Sequence, residues 1–113
     1  MNQVNLIGRV TREPKLSKTT SGKSYMFLTI AVDGYFDRKT NEMTTDFIPL
    51  KLWGKTAERC IRLMKGSKIR VTGRVSVSQY KDKETGEPRY SMEIVGDDVD
   101  FLSKPRNALE TSA

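Results

Sequence analysis

The side chains best equipped for chemistry in this 113-residue chain are aromatic rings set among cations. In FIPLKLW, residues 47–53, Phe47, Pro49, Lys51 and Trp53 occupy every second position. Alternation along a strand puts them on one face and leaves Ile48, Leu50 and Leu52 for the core. KIRVTGRVSVSQY, residues 68–80, behaves similarly. Ile69, Val71, Val75 and Val77 point one way; Arg70, Thr72, Arg74, Ser76, Ser78 and Tyr80 point the other. On each strand one face is thus core and the other carries aromatic and basic side chains, a surface suited to an acidic partner.

Catalysis has little to work with. There is no histidine and one cysteine, Cys60, which removes intrachain disulfides, the common zinc sets and His-based nucleophile arrangements. Asp97, Asp98 and Asp100 form the only acidic cluster, and no second cluster completes a metal site for phosphoryl transfer. The expectation is a non-enzyme with no catalytic residue, metal or cofactor. Twenty Lys and Arg against fourteen Asp and Glu give a net charge of +6, which suits an acidic partner, nucleic acid ahead of an anionic membrane. MNQVNLIGRV has no basic region leading into an apolar run, and no segment is long and apolar enough to span a bilayer, so the expected setting is the cytoplasm, with no membrane partner.

The positioning elements follow from patterning. Residues 4–10 and 25–32 are rich in β-branched, aromatic and aliphatic side chains and read as two strands. Residues 47–53, 68–80 and 89–102 supply three more, with Gly96 suggesting a bulge in the last and Pro49, lacking a ladder donor, an edge or bulge in the third. The polar stretch 36–46 reads as a long hairpin loop. Between the third and fourth strands, Ala57, Cys60, Ile61 and Met64 recur at helical spacing before Gly66, predicting one short amphipathic helix. On it Arg59 and Arg62 read as a solvated face. An all-β chain of five strands with a helix in that place fits a five-stranded OB-fold barrel. The barrel is assigned to 1–103, and 104–113 to a short, frayed tail.

Four strings, NQVNLIGRVTREPKL, LWGKTAE, MKGSKIRVTGRV and ETGEPRY, resemble the bacterial single-stranded DNA-binding protein family in its order and spacing, over roughly residues 2–103. The resemblance implies an OB fold, a homotetramer, and single-stranded DNA wrapped over aromatic platforms, with RNA a weaker ligand. It places the family's stacking aromatics on Phe36, Phe47, Trp53 and Tyr80 and its recurrent cations on Lys55 and Lys65. Patterning had put Phe47, Trp53 and Tyr80 on polar strand faces already. Tyr25, Phe27, Tyr90 and Phe101 are assigned to core or interface.

The chain also departs from the family. Ser76 and Ser78 stand where many relatives are basic, as does Pro49, so the grip on phosphate falls to Lys51, Arg70, Arg74, Lys81 and Lys83. SKPRNALETSA follows Leu102 in place of a Gly, Pro and Gln-rich linker with an acidic tip. That suggests a short form, a paralogue or mobile-element copy, which does not recruit replication and repair proteins through a tail. The rival reading is an OB-fold interaction module of a primosome that binds single strands weakly.

Overall fold

The computed structural model describes residues 1–105. In chain order these form β1 (Val4–Val10), β2 (Leu16–Lys18), β3 (Ser24–Asp37), β4 (Glu42–Trp53), helix α1 (Gly54–Arg59), a 3-10 turn (Cys60–Arg62), β5 (Lys68–Lys81) and β6 (Pro88–Ser103). The strands run β1-β5-β6-β4-β3, and β3 returns to β1 through Arg9↔Ala31 and Val10↔Ile30, closing the barrel. Only β4 and β6 pair in parallel. The three-residue β2 adds to the free side of β3. The expected five-stranded barrel is therefore present, with its helix between the third and fourth barrel strands.

Alternation fills the core. Met26, Leu28 and Ile30 of β3 meet Leu50 and Leu52 of β4, and Ile69, Val71 and Val99 close the far wall. Removing these side chains from water contributes about 25 cal/mol per Å² of apolar area. Two glycines let the sheets approach where β6 passes from β5 to β4. A Cβ on Gly73 would lie 2.1 Å from the Val95 carbonyl oxygen, and one on Gly96 2.5 Å from Leu52. The register slips there, since Thr72 faces Asp98 while Gly73 faces Gly96, so the bulged residue is Asp97, beside the glycine that signalled it. Pro49 lies one position before β4 begins pairing with β6 at Leu50, an edge position that needs no donor.

The helix differs from its expected face. Ala57 and Cys60 are buried, but Ile61 and Met64 are exposed and Leu63 takes the inward place. The cause is the 3-10 turn after Arg59: at three residues per turn, 57, 60 and 63 line up. Burial pushes the Cys60 thiol up to about 11, so it packs as a small apolar group.

Residues 36–46 are not a loop. β3 runs to Asp37, β4 starts at Glu42, and only a short turn containing Asn41 in the left-handed region joins them. This two-stranded arm stands in solvent on both sides, so it carries no apolar alternation to betray it. β5 and β6 form a second, longer arm, which explains why Val77 points along the core-facing row yet is 60% exposed. Tyr25, Phe27, Tyr90 and Phe101 are likewise absent from the core. Pro105 is buried and faces Gly66. The expected fraying of the tail concerns residues that otherwise lie outside those described.

Candidate nucleic-acid interface

The β3–β4 register sets outward side chains opposite one another. Tyr25 faces Trp53, Phe27 faces Lys51, Thr29 faces Pro49 and Ala31 faces Phe47. From Phe47 to Trp53 this ladder extends about 20 Å at the usual rise of a strand. Its rings touch: Tyr25 lies 5.7 Å from Trp53 and 5.8 Å, edge-on, from Phe27. Lys51 Nζ sits 4.4 Å from the Trp53 ring centre, 5.1 Å from Phe27 and 5.4 Å from Tyr25, and Lys23 Nζ stands 4.5 Å from Trp53 on its own account. The negative ring faces hold both ammonium groups without neutralising them. No carboxylate forms an ion pair with either lysine among the described residues. Their charge remains available to a phosphate.

Phe47, Lys51 and Trp53 thus share one face, as patterning expects, and Lys55 follows exposed on the first turn of α1. Phe36 lies on the β3–β4 arm opposite Met43, and Tyr80 on the β5–β6 arm opposite Arg89, both exposed. Among the described residues, neither ring contacts those around Trp53. Lys65 occupies the turn before β5, where its amide donates to Glu13 Oε1 at 3.2 Å. At the tip of the long arm, Asp82 accepts from the Glu84 amide and from Arg89, and the Glu84 amide foremost holds its carboxyl below the usual range. Lys81 ends β5 just before that closed turn, and Lys83 lies within it.

Arg70 and Arg74 have partners. Arg70 Nε donates to Asp100 at 3.0 Å, and Arg74 pairs with Asp97 across the bulge. Arg59, read from sequence as merely solvated, approaches Asp98 at 3.7 Å, donates to the Val99 carbonyl and lies 5.1 Å from the Phe101 ring centre, tying α1 to β6. The acidic cluster is therefore spent on arginines, and no group of three or more metal-ligating side chains occurs among the described residues. Tyr25 and Phe27, expected at the core or an interface, lie in the outer ladder and outside the core. The signal was present, since both alternate with the buried Met26, Leu28 and Ile30.

A closed barrel with this strand order, a helix leading into its fourth strand and an aromatic, cationic outer ladder is an OB-fold binding domain. The single-strand binding protein family matches over residues 1–102, and the chain belongs to that family. It is 40% identical over 111 residues to single-stranded DNA-binding protein 1 of Clostridium acetobutylicum, spanning 96% of this chain and 100% of that one. With single-stranded DNA-binding protein B of Bacillus subtilis it shares 37% over 107 residues, 93% and 94% of the two chains. The structure of the wild-type single-stranded DNA binding protein from Thermus aquaticus superposes with a TM-score of 0.76 at 28% identity, covering 91% of this chain and half, 50%, of that longer one.

Proposed function

We propose that this chain binds single-stranded DNA without reading its sequence, protecting it during replication, recombination, repair or DNA uptake. The observation that carries the reading is the unbroken outer ladder from Phe47 to Trp53, with Lys51 and Lys23 beside its rings and in no ion pair among the described residues. Stacking accepts every base, and the lysines replace counterions released from the phosphates. Phe36, Phe47, Trp53 and Tyr80 provide stacking surfaces, and Lys51, Lys55 and Lys65 provide charge. Arg70 and Arg74 contribute less because each already faces a carboxylate. The domain comprises residues 1–103 and acts as a homotetramer in the bacterial cytoplasm, with RNA a weaker ligand. No described helix is long and apolar enough to cross a membrane.

Trp53, the sole tryptophan, reports on the face directly. Titrating long poly(dT) into the protein is expected to quench its fluorescence, with affinity far above that for duplex and falling steeply with salt. Equal affinity for duplex and single strands at moderate salt overturns the reading. Solution mass measured in parallel is expected at four times 12.8 kDa.

A further inference from the structure

Beside the ladder runs a groove of about 300 Å³, with Phe27, Pro49 and Lys51 on one wall and Met92, Glu93 and Ile94 of β6 on the other. Its apolar lining is left open because β5 and β6 leave the barrel as a two-stranded arm. Val75 faces Ile94, which packs partly against the core beside Leu50, while Val77 and Met92, paired further along the arm's core-side row, have no further strand to cover them. Phe27 is 63% exposed and Met92 72%. Large apolar side chains facing each other across open solvent mark a place where something binds.

We propose that Phe27, with Pro49 and Met92, forms an insertion site for one nucleobase of the bound strand, additional to Phe36, Phe47, Trp53 and Tyr80. The proposal rests on the single-strand-binding reading and adds a subsite to it. Continuity is the first argument. Phe27 opposes Lys51 in the register and meets Tyr25, which meets Trp53, so a strand lying on the ladder passes the mouth of the groove. Charge is the second. Lys51 Nζ stands on the β4 wall, and the side chains of the β6 row that lines the groove, Met92 and Ile94, are apolar. A phosphate is therefore drawn to the β4 side, which leaves the attached base to the apolar wall. Size is the third, since the volume lies at the lower end of the range of about 300 to 1,000 Å³ for small-ligand sites. It accommodates a flat ring and is too small for a folded partner.

Photocrosslinking with oligo(dT) carrying 5-bromodeoxyuridine, followed by peptide mapping, tests this on the intact protein. Adducts are expected on the peptides bearing Phe27 or Met92. Phe27→Thr is expected to weaken oligo(dT) binding about 5- to 100-fold with an unchanged salt slope, and Met92→Glu to weaken it from the opposite wall. Should Phe27→Thr also lower the melting temperature, Met92→Glu on the exposed arm decides the matter. If the unmodified protein binds oligo(dT) but gives no adduct on either peptide, and both variants bind as it does, the insertion site is overturned and the wider reading stands. A change in solution mass at unchanged affinity per protomer overturns it too, making the groove a contact between copies. If the unmodified protein does not bind oligo(dT) at all, both readings fall together.

Discussion

The β3–β4 face and the β5–β6 face begin from similar materials, cations alternating with other side chains on the outside of a barrel strand, and end in opposite electrostatic states. On β3–β4, Lys51 and Lys23 lie against rings, which attract a cation while leaving its charge unneutralised. On β5–β6, Arg70 and Arg74 lie against Asp100 and Asp97, and Arg59 approaches Asp98. A phosphate arriving at the first face meets net positive charge; at the second it meets an arginine with a carboxylate attached. Counting basic residues thus overstates the binding surface, and what each cation touches decides its use. These ion pairs are about half exposed and contribute little to stability, about 0 to 1 kcal/mol each. Their consequence is electrostatic.

The largest expected difference between the faces is in affinity. Phe47→Ala and Trp53→Ala are each expected to cost about 1 to 3 kcal/mol of poly(dT) binding with little change in melting temperature, whereas Arg70→Gln is expected to leave affinity at high salt nearly intact. Fluorescence anisotropy with labelled oligo(dT), used for all three so that loss of the sole tryptophan does not matter, measures both. A large fall in melting temperature with unchanged affinity for Phe47→Ala would mark that ring as a packing residue and erase the contrast.

Salt dependence sharpens the comparison at a smaller scale. Removing a cation that contacts single-stranded phosphate lowers the slope of log affinity against log salt by about 0.7. Lys51→Gln is expected to show that change and Arg74→Gln much less. Equal slopes for the two variants would mean that Asp97 yields Arg74 to the nucleic acid, returning the β5–β6 face to the binding surface.

Much of this arrangement was legible in the sequence, for reasons that also explain what was not. Ile48, Leu50 and Leu52 alternate with Phe47, Lys51 and Trp53 because β4 has a core on one side and solvent on the other. That asymmetry writes itself into residue types. The arm spanning the end of β3 and the start of β4 has solvent on both sides and leaves no such mark, so it reads as a loop. The core half of the core-or-interface expectation for Tyr25 and Phe27 fails for a different reason: aromatic residues are usually buried, and that general tendency outweighed the local alternation with Met26, Leu28 and Ile30. Leu63 escaped notice because a 3-10 turn changes the period after Arg59. The pairing of Arg74 with Asp97 depends on a one-residue register slip, which composition and periodicity do not specify.

The smallest expected effect probes the β5–β6 face from its acidic side. Asp97→Asn and Asp100→Asn remove a carboxylate while leaving its arginine in place, so each variant gains one unneutralised cation on an unchanged backbone. Asparagine is nearly the same size and the pairs are exposed, so the loss of stability is expected to stay within about 1 kcal/mol, read from the urea midpoint. If the carboxylates are what keep this face from contributing, poly(dT) affinity rises slightly at low salt and returns to the parent value at high salt, because the added attraction is long-ranged and screened. The gain is also expected to vanish in the double variant Asp97→Asn with Arg74→Gln, which restores the net charge. A gain that survives high salt would instead mean that Arg74, once released, makes a direct contact with the bound strand. No gain at any salt would place the face out of reach of the bound strand altogether, and the distance between the two faces, rather than the aspartates, would account for their difference.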